Sequence, residues 1–514
     1  MQRFFLCAKI EWLLSLWNRD KPKGTPVHGD PNFYVYRYRS AKAVLGDYHE
    51  LERSEIYFSA PSELNDPMEG FKDLVWSGDE IVWRNFLRHY ILCVLQTTGY
   101  CLIADEQFDP HILKNIVFWV PQELPDAPIQ GIYERVSSEF LAEPVAKKFI
   151  STLAARTSPL RRSELTAYLR ALHGFAMQIV IKEYRERGLL KQPAEGPPPP
   201  SPEKLRRSAV AMMEGVTKIP PSEFPPERLS EALFAASGGI AAQMMLINEY
   251  NLPDREKRKP ITFLTHRFPD AYVVALDTLV HRDWYVSCFA KTPDNHSMWS
   301  TYGDGHRGVC LMFKTTPNTE GEPTLAIERV TGASSSLGNE LAYHSSVVPH
   351  QLEPVIYSGQ YPSIDFFRSL GSISEMHMNN FWYTGEGGTF SDCRNAVYSD
   401  NEAWRKAYWH TLGQSALYKT PEWAHEEEYR IVVHSGFDMS TKEKRKLKYR
   451  FENLAGIVFG ARTNWEDKLK IMTIIDKKCA EARRSDFKFY EVRYLHTESR
   501  FQLFALGLLK VRYD

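Results

Sequence analysis

The spacing of apolar residues changes character twice along this chain. Over 33–38, aromatic and β-branched residues alternate, which predicts a strand, and Ile56-Tyr57-Phe58 predicts a second, shorter one. Between them, 41–53 suits a helix, and Pro61, Asn65, Asp66, Pro67 and Gly70 punctuate a turn-rich loop. From about Gly78 to Leu279 the period becomes helical. Leu165, Leu169, Leu172, Ala176 and Ile179 recur at three and four, with Ser163 as N-cap and Gly188 as C-cap. Val145, Phe149, Ile150 and Leu153 form a second stripe, and Pro144 opens its helix. From Trp284 onward, alternation returns in 285–289, 309–313, 429–433, 457–459 and 487–494.

Strand, helix, strand in that order predicts an α+β fold in which a mixed or antiparallel sheet domain is interrupted by a large helical insertion. The expected divisions are a helical extension over 1–30, a first part of the split domain over 31–77, a helical insertion over 78–279 and the second part over 280–514. Within the insertion, 192–202 is a Pro-rich loop carrying Pro197-Pro198-Pro199-Pro200. The extension would present Phe4, Phe5, Ile10, Leu13, Leu14 and Trp17 on one face. No membrane span is expected, because the nearest apolar stretch, 90–104, is too short.

Bulk composition narrows the partners. A net charge of -1 across 514 residues gives no general electrostatic grip on nucleic acid. Seven scattered cysteines without a C-x-x-C pair signal neither a disulfide framework nor a zinc site, so reduced thiols and a cytoplasmic location are expected.

The segment richest in chemistry is Trp423-Ala424-His425-Glu426-Glu427-Glu428-Tyr429-Arg430, followed by Ile431-Val432-Val433. As a strand it would turn Tyr429, Ile431 and Val433 to a core and collect Glu426, Glu428 and Arg430 on the other face. That second face reads either as a ligand site or as the wet side of an antiparallel strand.

Several motifs resemble a known family. Tyr36-Arg37-Tyr38-Arg39, Phe58-Ser59-Ala60-Pro61 and Asn65-Asp66-Pro67-Met68-Glu69 resemble its N-terminal signature. Ser287-Cys288-Phe289, Met298-Trp299-Ser300-Thr301-Tyr302 and His306-Arg307-Gly308-Val309-Cys310 resemble its middle, and Trp423-x-x-Glu426-x-Glu428-Tyr429-Arg430 its late motif. The family is the mostly bacterial domain of unknown function two-nine-seven-one, and the resemblance covers roughly 31–75 and 280–465. It implies no agreed activity and says nothing of the helical insertion.

The order arginine, serine, Glu-x-Glu is also similar to that of ADP-ribosyltransferases. In that reading NAD is the substrate. Arg37 or Arg39 holds its pyrophosphate, Ser59 contacts the nicotinamide ribose, and Trp299 and Tyr302 offer flat surfaces to a ring. Glu428 stabilises the positive charge that develops as the glycosidic bond breaks, and Glu426 orients or deprotonates an acceptor. Such chemistry would suit bacterial defence. Asn65, Asp66, Glu69 and Arg430 are further site candidates, with Asp66 equally readable as a turn cap. Two other classes stay open. One is a non-catalytic binding module, whose helical insertion would dock a partner through an exposed apolar patch. The other is a metal-dependent phosphodiesterase, which needs at least three of Asp66, Glu69, Glu426 and Glu428 to converge, although no metal signature is present.

Overall fold

The computed structural model describes residues 33–509 except 47, 105–106, 191–200, 202, 204–205, 208, 212–225, 253–254, 336–340 and 435. The expected extension over 1–30 and all of the Pro-rich loop but Ser201 lie outside the described residues. Helix at about 51% and strand at 22%, in mixed and antiparallel sheets, make the fold α+β.

The chain divides into two compact units. One comprises the described residues of 1–71, 283–361 and 413–514, and the other those of 72–282 and 362–412. The second excursion, 362–412, differs from the expected continuous stretch over 280–514. It contains the helix Asp392–Tyr398 and the strand Ser363–Asp365, which pairs in parallel with Asp73–Trp76 at the start of the first excursion. That pairing is between residues nearly three hundred positions apart, and local periodicity carries no trace of it.

The sheet unit is built from β1 (Tyr34–Arg39), β2 (Glu55–Tyr57), β3 (Trp284–Ala290), β4 (Val309–Lys314), β5 (Pro323–Ser335), β6 (Leu341–Gln351), β7 (Glu353–Pro354), β8 (Ile356–Tyr357), β9 (Tyr418–Lys419), β10 (Glu428–His434), β11 (Lys446–Tyr449), β12 (Leu454–Phe459), β13 (Lys488–Leu495) and β14 (Arg500–Ala505). Eight of these form the main sheet in the order β7-β10-β3-β1-β4-β12-β13-β14, antiparallel throughout except between β12 and β13. A second sheet joins β2, β11, β5 and β6. The predicted helix over 41–53 is two short helices, Ala41–Leu45 and Glu50–Arg53.

Both faces of the main sheet are buried. Val35, Phe289, Leu311, Ile431, Val433 and Ile457 pack on one face with the helix Trp465–Ala482. Tyr36, Tyr38, Ala290, Trp299, Cys310 and Val458 pack on the other. The strict alternation follows from the two-residue side-chain period of a strand.

In the helical unit, α1 (Glu80–Ala104) is buried almost all round, which explains its apolar run without a membrane. Around it lie α2 (Ala127–Ala142), α3 (Pro144–Ala154) and α4 (Arg162–Glu186). Pro144 occupies the first turn of α3, and the α4 stripe from Leu165 to Ile179 is core, as the spacing predicts. The caps of α4 differ by a residue or more. Its N-cap is Arg161 rather than Ser163, and Gly188 follows the C-cap Arg187 in the left-handed conformation at φ +70°. The last long helix of the insertion is α5 (Pro226–Asn251), which packs along α4.

A buried carboxylate cluster in a cleft of the sheet unit

The strand β10 begins at Glu428, not at Glu426. Glu426 ends a short 3₁₀ segment, Pro421–Glu426, and Glu427 adopts φ +43° between the two. This left-handed step is what lets both flanking carboxylates turn to the same side. There they meet a group the sequence argument did not include, the ammonium of Lys419 on β9. Lys419 Nζ lies 2.6 Å from Glu426 Oε2, 3.1 Å from Glu69 Oε1 and 3.2 Å from Glu428 Oε2. Arg430 completes the cluster, donating from Nε to Glu428 Oε1 at 2.8 Å and from Nη2 to Glu69 Oε2 at 2.7 Å. Its Nη1 donates to the Ala416 carbonyl at 2.8 Å. All five residues are buried.

Three carboxylates against two cations leave the cluster one negative charge in surplus. Burial and the individual neighbouring charges together set the titration shifts. Burial pushes the Glu428 carboxyl up, but the Arg430 and Lys419 charges outweigh it and hold the group at about 2. For Glu69 burial wins, and its pKa stays above the ordinary carboxylate value despite the same two cations. Burial would lower Lys419, yet Glu428, Glu69 and Glu426 together raise it. The ammonium also rests over the Trp423 ring at 4.6 Å.

The loop over 61–71 delivers Glu69. Glu63 pins its start, accepting from Tyr57, the Ala60 amide and Arg445. Asp66 accepts from the Met68 amide at 2.9 Å and faces the Thr420 hydroxyl at 3.4 Å, so it shapes the loop as a turn cap and does not join the cluster. Gly70 closes the loop at φ +76°, where a Cβ would lie 2.9 Å from Pro61 Cβ. Asn65 donates to the Tyr302 hydroxyl at 3.0 Å, and that hydroxyl donates to Glu426 Oε1 at 2.7 Å.

These groups line an open cleft of about 150 Å³, whose walls include Tyr36, Tyr38, Ser59, Asn65, Tyr302 and Lys419. Ser59 is held by a backbone bridge to Val286, with amide-to-carbonyl distances of 2.8 and 2.9 Å. Its hydroxyl has no hydrogen-bonding partner among the described residues. The helix His296–Thr301 and its cap place Tyr302 at the mouth.

The predicted cofactor arginines behave differently from expectation. Tyr36 on β1 is in register with Ala290, and Ala290 with Glu428, so these three side chains share a sheet face. Arg37 and Arg39 therefore leave the opposite face. Arg37 donates to Ser287 Oγ at 2.5 Å, to the Cys288 carbonyl at 3.1 Å and to the Tyr57 carbonyl at 3.0 Å, and it lies 5.8 Å from the Phe289 ring centroid. Burial, then repulsion from Arg39, lowers it to about 10. Arg39 is paired bidentately with Glu50, donating from Nε and Nη2. Both arginines border the cleft, but their charged ends are spent on the fold. Trp299 is likewise core rather than a stacking surface: it is fully buried and donates from Nε1 to the Pro293 carbonyl at 2.7 Å.

The carboxylates do converge, as a metal site would require, but around the ammonium of Lys419. Among the described residues, no group of three or more His, Cys, Asp or Glu is arranged to hold a metal ion.

The site thus belongs to an α+β sheet domain with a buried, net-negative ion cluster at the floor of an open cleft. Residues 298–431 match the family described as Protein of unknown function (DUF2971), a match that takes in Tyr302, Lys419, Glu426, Glu428 and Arg430. No curated protein and no solved structure matches the chain.

Proposed function

We propose that the cleft is a catalytic site where carboxylates stabilise a positively charged, oxocarbenium-like centre, with NAD as the substrate. The observation that carries this reading is the surplus negative charge of the Glu69, Glu426, Glu428, Lys419 and Arg430 cluster at the floor of an open cleft. The bond between the ribose and the nicotinamide nitrogen breaks, and nicotinamide leaves neutral with the electron pair. The ribose carbon, carrying the positive charge, is then attacked by water or by a macromolecular nucleophile. Glu428, held ionised by its neighbours, supplies fixed negative charge. Glu426, directly or through the Tyr302 hydroxyl, receives the proton of the attacking group. Arg37 and Arg39 have no part in this version, because their side chains leave the other sheet face.

The test is nicotinamide release from NAD by the purified full chain, with and without cell extract as acceptor. Release by the wild type, lost in a folded Glu426→Gln variant, supports the reading; no release under either condition sinks it.

A second reading draws on a different feature of the cluster. Each of its charged groups has a partner already, as in a structural clamp. In that version the domain is a non-catalytic binding module, and Glu426→Gln changes its stability alone.

A further inference from the structure

Among the described residues, the most anomalous surface lies in the helical unit. Helix α5 packs on α4 through one narrow line of residues. Phe234 sets its ring 5.7 Å from that of Tyr168, and Ser230, Gly238, Ala241 and Met245 follow at the same helical phase. Elsewhere, among the described residues, α5 is open. Leu233, Ile240, Met244 and Ile247 are 54, 61, 60 and 58% exposed along one flank, and Leu246 is 69% exposed along the other. From 232 to 248 the sequence holds no Asp, Glu, Lys, Arg or His. By length and composition Ser230–Asn251 is apolar enough to cross a membrane, and very little of it is buried.

An apolar helix normally hides in a protein core or in lipid. A groove or a single partner helix covers one stripe, of roughly 100°. Here the exposed apolar side chains flank the α4 contact on both sides, so whatever covers them must conform to a broad convex surface. A bilayer does so. A full span is excluded by α4, which runs alongside and carries Arg170, Lys182 and Glu183, paired with Asp270, Glu139 and Arg135, a density of charge that hydrocarbon disfavours even in pairs. The remaining geometry is a helix lying in the interface, its polar side replaced by α4. Charge supports the same occupant. The apolar run stops at Glu249, which is paired with Arg267, and after Pro253 the sequence reads Asp254-Arg255-Glu256-Lys257-Arg258-Lys259, with four basic residues against two acidic ones. A cationic stretch directly after a lipid-seeking helix complements anionic headgroups.

We propose that α5 is a lipid-docking helix that seats the helical unit on an anionic phospholipid surface. The assignment is independent of the chemistry proposed for the cleft.

Flotation of the full-length protein tests it, with vesicles of phosphatidylcholine alone and of phosphatidylcholine with phosphatidylserine. The wild type is expected to float with the anionic vesicles, and less so as salt is raised. The double variant Ile240→Glu with Ile247→Glu changes only exposed positions, and its bound fraction is expected to fall by roughly tenfold. Lys257→Glu with Arg258→Glu is expected to lower binding to the anionic vesicles specifically, and it serves alone if the first variant does not fold. Failure of the wild type to float with either vesicle overturns the proposal. So does equal flotation on both vesicles. A wild-type dimer in light scattering that Ile240→Glu with Ile247→Glu converts to monomer, without flotation, assigns the surface to a second copy instead.

Discussion

Arg37 and Glu428 project from opposite faces of the main sheet, although both border the same cleft. The register Tyr36↔Ala290↔Glu428 decides this, and it separates two roles that a linear reading runs together. Arg37 stitches β1 to the β3 backbone and to Tyr57 at the end of β2. Glu428 belongs to the ion cluster under the cleft.

From this division, Arg37→Met is expected to act on stability alone. It leaves the Cys288 and Tyr57 carbonyls without their donor, at about 1–3 kcal/mol for buried polar groups. Urea denaturation should show the loss, while ligand binding or turnover per folded molecule stays at the wild-type level.

Lys419→Met should be among the most damaging substitutions in the sheet unit. The side chain keeps its length but loses the charge that three buried carboxylates share. Breaking a buried pair costs about 3–5 kcal/mol. The check is the urea midpoint, together with partial recovery in the double variant Lys419→Met with Glu426→Gln, which removes one of the stranded charges.

Acid sensitivity should trace to Glu428. Its folded pKa is depressed from 4.5 to about 2, so its contribution is fully present above the ordinary value and disappears as pH falls through that window. Glu69, shifted upward, works the other way: its stability contribution falls as pH rises through its folded pKa. Glu428→Gln is therefore expected to be less stable at neutral pH and to lose less on acidification. Stability measured at successive pH values decides between this and an unchanged acid limb.

Tyr302→Phe removes the hydroxyl that links Asn65 to Glu426. A loss of about 1 kcal/mol is expected from the hydrogen bonds. If Glu426 accepts a proton through this hydroxyl, turnover falls further than stability, and a pH–rate profile displaced from the wild type reports it.

Gly308→Ala is expected to destabilise the sheet unit by about 1–3 kcal/mol or more, as overpacking does. A Cβ there would lie 2.2 Å from the Arg39 carbonyl oxygen, a backbone atom that cannot swing away. Thermal unfolding of the variant measures the effect.

Much of the fold was legible because it is periodic. The alternation through Tyr429, Ile431 and Val433 marks β10, and Val35 opposite Tyr36 marks β1. The convergence of Glu69, Glu426, Glu428 and Arg430 was partly legible as an unusual density of charge. The face on which Arg37 emerges was not, because it depends on pairing between strands far apart in sequence. Lys419 was hidden in a two-residue strand with no periodic signal. The available hint was charge count, since three carboxylates with Arg430 alone ask for a second cation. The left-handed Glu427 gave no sign either, as glutamate has no special preference for that conformation.

The double crossing between units has a consequence for synthesis on the ribosome. β1 and Glu69 emerge first, but β3 appears only after the whole first helical excursion, and Lys419, Glu426, Glu428 and Arg430 only after the second. Until then Glu69 has neither of its cations. The ion cluster can therefore close only after both excursions have been synthesised, as a late latch on the sheet unit.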